Sequence, residues 1–105
     1  MKGTAVLVAA AQCFAAADQS LRAGEGNEAI RARLEKCLPV SGAMSCYERT
    51  LWMSSFFASR RAGIDLGRAL RGYPPAFEAL IEEVYRTDQE EDVFRRDRFL
   101  ECIHG

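Results

Sequence analysis

A chain of 105 residues has room for one domain and is too short for two. Its 14 basic and 15 acidic residues nearly cancel, which excludes a strong overall field that would attract nucleic acid or an anionic membrane. Because His104 is the only histidine, multi-histidine metal sites are excluded, and Ser-His-Asp or Cys-His catalysis is not expected. We therefore expect a small folded domain that is not an enzyme and holds no metal or cofactor.

The first 17 residues have the three-part layout of a secretory signal. Lys2 is a short positive region, residues 4–14 are almost entirely apolar, and residues 15–17 are the small alanines that signal peptidase needs. The apolar run is too short to span a bilayer. The sequence thus predicts a signal peptide over residues 1–17 and a domain over residues 18–105, in the periplasm or secreted.

The same N-terminal segment has a second interpretation. Alanine is the best helix former, so residues 5–17 could stay in the mature protein as a helix. In that case the protein would be cytoplasmic, and this helix would form the seam of a homodimer. Against it, residues 5–11 are apolar on every side, whereas a surface helix of a small domain is amphipathic.

The first two helices of the domain are bounded by capping and breaking residues. Asn27 is expected to cap a helix that ends before Pro39. A cap at Ser41 or Ser45 begins the next helix, and Gly63 ends it in the left-handed conformation that favours glycine. The broad apolar stripe of this second helix predicts that it is the central and most buried one.

Three further helices follow in the second half of the chain. Asp65 caps a short helix over residues 66–71, Pro75 begins the next, and Thr87 or Asp88 caps the last. No segment alternates with period two, so no sheet is expected. The fold class is therefore all-α, a small single-domain bundle of about four to five helices stapled by a disulfide. Its core is expected to include Trp52, Phe56, Phe77, Leu80, Ile81 and Val84.

The cysteines allow two pairings. If residues 1–17 are removed, Cys37, Cys46 and Cys102 remain, and an oxidising compartment favours pairing two of them. Antiparallel packing of the central and last helices would join Cys46 to Cys102, which we favour, whereas Cys37 with Cys46 would staple a local hairpin. Either choice leaves one free thiol. In a cytoplasmic protein all four cysteines, Cys13 included, would stay reduced.

Two charged clusters are candidate partner-binding sites. The acidic cluster consists of Asp88, Glu90, Glu91 and Asp92. The basic cluster consists of Arg60, Arg61, Arg68 and Arg71. The arginines could bind a phosphate, a carboxylate or an acidic partner. We favour the simpler interpretation that they are solvated and pair with the acidic cluster, since surface ion pairs are common and individually weak.

The order of features from Cys46 onward also suggests a resemblance. An RRAG break at residues 60–63 is followed by EEVYR at residues 82–86 and FLEC at residues 99–102. This order resembles a pattern in small exported bacterial or phage-borne proteins of no assigned function. The resemblance implies an extracytoplasmic helical domain with its outer cysteines paired, and it implies no activity.

Together these features predict a non-enzymatic binding protein of the bacterial envelope, an inhibitor or immunity factor for another protein. The acidic cluster would reach into a basic cleft of that partner and speed the encounter by electrostatic steering. Nucleic acid and an integral membrane span are not expected. The alternative is a cytosolic all-α regulator or assembly module that dimerises through a retained N-terminal helix.

Overall fold

A computed structural model describes the backbone of residues 2–105 and the side chains from residue 8 onward. Every regular element in this range is helical, and the elements in chain order are α1 (Lys2–Arg22), α2 (Asn27–Cys37), α3 (Ala43–Arg61), α4 (Leu66–Gly72), a 3₁₀ turn (Pro75–Phe77), α5 (Glu78–Arg86) and α6 (Glu91–His104). The all-α prediction is confirmed. None of the helices among residues 2–105 is both long enough and apolar enough to cross a bilayer.

The described range contains six α-helices, so the predicted count of four to five is wrong. The additional helix is α1, which packs against α2 and α6 as part of the bundle. Its Phe14 ring lies 5.8 Å from the ring of Tyr47 and 5.2 Å from that of Phe99. Ala10 and Ala17 are buried on the same face. The alanine-rich sequence therefore forms a helix whose small residues allow close packing.

The apolar core falls into two clusters along the bundle. The first joins α1 and α2 to the beginning of α3 and to Phe99 of α6. The second joins the rest of α3 to α4, α5 and Phe94 of α6. Helices α3 and α6 run antiparallel through both clusters, because Cys46 near the start of α3 bonds to Cys102 near the end of α6, and Phe57 packs on Phe94 at the other end.

Several local signals in the sequence act as predicted. Gly63 has a φ of 80° and ends α3, where its N–H donates to the Arg60 carbonyl and that of Ile64 donates to the Ser59 carbonyl. These two bonds satisfy carbonyls that the end of a helix leaves without partners. Asp65 caps α4, since its carboxylate accepts a bond from the Arg68 backbone N–H at 2.9 Å.

Other predicted caps are wrong by one to three residues. Gly26 precedes α2 where Asn27 was expected, and Gly42, not a serine, precedes α3. Helix α6 follows Glu90, because the Thr87 hydroxyl instead accepts a bond from the Gln89 N–H and so stabilises the turn before the helix. A side chain that can cap a helix can also stabilise a neighbouring turn, and sequence alone does not distinguish the two.

The predicted core is correct in four of its six residues. Phe56, Ile81 and Val84 are fully buried and Leu80 nearly so. Phe77 is half-buried, and Trp52 is wrongly assigned because 43% of its surface is exposed. The apolar stripe of α3 is wider than its neighbours can cover, so one edge of the stripe remains at the surface.

Candidate functional site

A buried ion pair joins the first and last helices at the centre of the bundle. Arg95 of α6 donates from both terminal nitrogens to Asp18 of α1, with distances of 2.9 and 2.8 Å. The two side chains are only 4% and 7% exposed. Such a two-pronged bond between a guanidinium and a carboxylate is strong and directional, and it fixes the position of α1 against α6.

The central helix completes this network. Tyr47 donates its hydroxyl to the same carboxylate at 2.7 Å, and Arg95 donates to the Thr50 carbonyl at 3.0 Å. Arg95 also lies over the ring of Phe14, 5.2 Å from its centre. Among the described side chains, no buried polar atom lacks a hydrogen-bond partner. The network therefore holds three helices together with its charges fully compensated.

The network shifts the pKa of two of its members, Tyr47 and Arg95. Burial raises the pKa of the Tyr47 hydroxyl, and the hydrogen bond to the Asp18 carboxylate raises it further. Burial lowers the pKa of Arg95, but its hydrogen bond to Asp18 and that negative charge outweigh the burial and raise the pKa overall. Both effects keep Tyr47 neutral and Arg95 charged, so neither of these two side chains gains or loses a proton near neutral pH.

All four cysteines are paired. The bond between Cys46 and Cys102 is confirmed, with Cα atoms 5.8 Å apart, and the alternative of Cys37 with Cys46 is wrong. Cys37 pairs instead with Cys13, again at a Cα distance of 5.8 Å, so the predicted leftover thiol is absent. Two disulfides fit an extracytoplasmic location.

The bond between Cys13 and Cys37 bears on the predicted signal peptide. Cleavage between Ala17 and Asp18 would remove Cys13 and leave Cys37 without this partner. It would also place a new terminus beside the buried Asp18 carboxylate. The cleaved signal and the packed helix α1 are thus alternative states of the same residues, and the N-terminal sequence of the native protein distinguishes them.

The charged clusters lie near each other, and part of their charge is paired internally. Arg61 bonds to Glu91 at 2.6 Å, and Asp92 pairs with Arg22 at 3.4 Å. Arg60 donates to the carbonyls at the end of α5. Five members make no ion pair among the residues that the structure describes: Asp88, Glu90, Arg60, Arg68 and Arg71.

A groove of about 340 Å³ lies beside the Cys46–Cys102 bond. Four charged residues line it: Arg98 pairs with Glu83 at 2.6 Å and with Glu101 at 3.2 Å, whereas Arg49 makes no ion pair among the described residues. The guanidinium also lies over Phe94 at 4.9 Å from the ring centre. Because Arg98, Glu83 and Glu101 bind one another, most of the charge that lines the groove is already compensated.

The aromatic surface is the feature that sequence reasoning missed. We use this name for Trp52 with the three rings that support it, Phe56, Tyr73 and Phe77. The Trp52 ring lies 4.9 Å from Phe77 and 6.2 Å from Tyr73, and Phe56 contacts both of those rings from below. Trp52 is therefore held in place although nearly half of it faces solvent.

Two shallow hollows flank Trp52. One is lined by Ser45, Glu48, Arg49, Trp52 and Phe77. The other is lined by Asn27, Glu48, Leu51, Trp52 and Ser55. Trp52 thus forms a fixed ridge between the two hollows, a shape that can insert into a concavity of a partner.

Comparison with known proteins gives no relative from which a role could be carried over. No protein family, curated protein or solved structure matches the chain. Within the part of the chain that the structure describes, no group of three or more histidine, cysteine, aspartate or glutamate side chains is placed to hold a metal ion. The aromatic surface and the charged clusters are consequently the features on which a functional proposal rests.

Proposed function

We propose that this chain is a non-enzymatic binding protein of the bacterial envelope, an inhibitor or immunity factor that binds its protein partner through the aromatic surface. The observation that carries the proposal is the exposure of Trp52, at 43%, on top of three supporting rings. Tryptophan is strongly enriched among the residues that dominate binding energy in protein interfaces.

The scaffold behind this surface supports the same function. The Cys46–Cys102 bond and the Asp18–Arg95 pair connect helices that are distant in the sequence, and the Cys13–Cys37 bond joins the neighbouring helices α1 and α2. A rigid scaffold loses little conformational freedom on binding, which leaves more of the contact energy for affinity. The disulfides also agree with the oxidising compartment that an envelope protein occupies.

The form of the surface favours a protein over a small ligand. Sites for small molecules are concave and enclose most of the ligand, whereas Trp52 projects between two open hollows. Asp88 and Glu90 stay exposed and outside the ion pairs of the described residues, so they can steer a basic partner toward the molecule.

Site-specific crosslinking in the native host tests the proposal. A photoreactive amino acid at Ser55, on the edge of one hollow, is compared with the same group at Gln12, which is exposed on α1. We expect a partner protein crosslinked from Ser55 only. A crosslink to a second copy of this chain would contradict the inhibitor role and favour assembly.

Affinity measurement with the purified partner then tests the role of Trp52. We expect Trp52→Ala to weaken binding by about 30-fold or more, as for a central interface tryptophan. Leu21→Ala is the matched control, because Leu21 is another large apolar side chain exposed to a similar extent, at 39%. It should change the affinity less than about twofold. Equal effects of the two substitutions would overturn the proposal, provided that circular dichroism shows both variants folded.

A further inference from the structure

The two hollows beside Trp52 differ in charge. Arg49 and Phe77 line only the first, whereas Glu48 lines both. In the second hollow Glu48 is the one ionisable side chain among the lining residues. The second hollow therefore combines a negative charge with an aromatic ring.

Helix geometry places this charge and this ring on the same side of α3. Glu48 precedes Trp52 by four residues, which puts the two side chains one turn apart on one face of the helix. Because Phe77 packs on the indole from the first hollow, the ring surface toward the second hollow has no aromatic cover among the described residues. Glu48 is exposed and makes no ion pair within the described residues.

We propose that Trp52 and Glu48 together bind an arginine side chain of the partner protein in the second hollow. An exposed indole attracts a cation over its face, and a neighbouring carboxylate can accept two hydrogen bonds from the same guanidinium. Arginine fits better than lysine, since its planar group stacks on the ring and matches the carboxylate. The proposal rests on the proposed function and identifies the side chain that this surface receives.

Trp52 is the only tryptophan of the chain, so its fluorescence reports on this hollow directly. The probe is the blocked peptide acetyl-Gly-Arg-Gly-amide, and its control is the same peptide with citrulline, which keeps the shape of arginine and lacks its charge. We expect a saturable change of emission with the arginine peptide at a Kd on the order of 10 mM, and a response at least about fivefold weaker with citrulline.

Substitutions in the protein locate the bound charge. Glu48→Gln should weaken the binding of the arginine peptide about fivefold, because it removes the charge and keeps the size of the side chain. Glu35→Gln, which removes an exposed carboxylate on α2 outside the hollow, should leave the affinity unchanged. Arg49→Gln should not weaken binding either, since Arg49 lines only the other hollow.

Three results would overturn the arginine proposal. They are equal binding of the arginine and citrulline peptides, equal effects of Glu48→Gln and Glu35→Gln, and tighter binding of a proline-rich peptide without basic residues. Any one of these results would contradict the arginine proposal. If the partner protein still loses affinity on Trp52→Ala, the proposed function would stand, with Trp52 as an apolar contact residue. A partner unaffected by Trp52→Ala would instead contradict the proposed function itself.

Discussion

The charge of Arg95 lies in the centre of the bundle, where an unpaired ion would be very unfavourable. Its side chain is 4% exposed and its partner Asp18 stands 77 positions earlier in the chain. Removing one member of a buried pair leaves the other charge uncompensated, whereas replacing both with apolar side chains is often neutral. The stability of this protein therefore depends on having both residues or neither.

Arg95→Met is expected to lower the free energy of unfolding by about 3–5 kcal/mol, because it strands the Asp18 carboxylate in the core. The matched control is Arg96→Met on the same helix, where the side chain is 47% exposed and a change within about 0.5 kcal/mol is expected. Asp18→Leu combined with Arg95→Met should recover part of the loss. Urea denaturation measures all three variants, and a loss below about 1 kcal/mol for Arg95→Met would contradict the assigned role.

The raised pKa of Tyr47 predicts how stability changes in alkali. In the unfolded chain a tyrosine ionises near pH 10, whereas burial and Asp18 keep Tyr47 neutral in the folded protein well above that pH. The folded state then binds more protons than the unfolded state, so the contribution of Tyr47 is complete below pH 10 and is lost as the pH rises further.

Tyr47→Phe should therefore be less stable than the wild type by about 1–3 kcal/mol at pH 8, through the lost hydrogen bond to a buried carboxylate. Its stability should also fall less steeply between pH 10 and 11.5. Tyr85, whose pKa is raised by burial and then by Asp65, is present in both proteins, so its effect cancels in the comparison. Parallel pH curves for the two proteins would contradict the prediction.

The residue pattern identifies some of these side chains in advance and not others. Phe56 in the apolar stripe of α3, and Ile81 and Val84 in that of α5, are buried as expected. The burial of Arg95 is not predictable in this way, because arginine side chains are rarely buried. Asp18 lies four residues after Phe14 on the buried face of α1, a signal that becomes readable only once residues 2–22 are treated as one helix.

At the scale of the element, α1 contributes both apolar contacts and a covalent bond. Cys13, Phe14 and Ala17 are buried among residues of α2, α3 and α6. The helix also supplies Asp18 to the central ion pair. The same alanines also match the pattern of a signal-peptidase cleavage site, because small apolar residues suit both the peptidase and close helix packing.

Deletion of residues 1–17 is therefore expected to destabilise the remaining domain by several kcal/mol, since it removes the buried Phe14 and one disulfide. The truncated protein should bind a hydrophobic dye and show one free thiol at Cys37. Deletion of residues 1–7 is the control, because it keeps every buried residue of α1 that the structure describes. A truncated domain as stable as the full chain would show that α1 is dispensable, in agreement with a cleaved signal.

The apolar stripe of α3 does not show which of its residues stay exposed, and Trp52 is the example. The sequence of α3 carries apolar residues around much of its circumference, which correctly predicts a central helix. Which edge stays uncovered depends on the packing of α2 and of the 3₁₀ turn at Pro75–Phe77, and this packing involves contacts distant in sequence. The sequence therefore predicts that α3 carries aromatic residues, but it does not predict which of them stays exposed.

Across the whole molecule, α3 and α6 form an antiparallel spine that passes through both core clusters. The Cys46–Cys102 bond closes one end of this spine and spans 56 positions, whereas the Cys13–Cys37 bond joins neighbouring helices over 24. The Cys46–Cys102 pairing is predicted on the condition that the central and last helices run antiparallel, and the structure confirms that order. The second pairing was missed because Cys13 was assigned to the predicted signal.

The two disulfides should therefore contribute unequally to stability. In the chain-entropy model a crosslink restricts the unfolded state more when it closes a longer loop, which gives about 4 kcal/mol for Cys46–Cys102 and about 3 kcal/mol for Cys13–Cys37. The first bond also joins the two helices that traverse both clusters, so its loss affects the whole bundle. We expect the double variant Cys46→Ser/Cys102→Ser to unfold at lower urea concentration than Cys13→Ser/Cys37→Ser, with both below the wild type. The reverse order would show that strain or structure in the unfolded chain, and not loop length, determines the contribution of each bond.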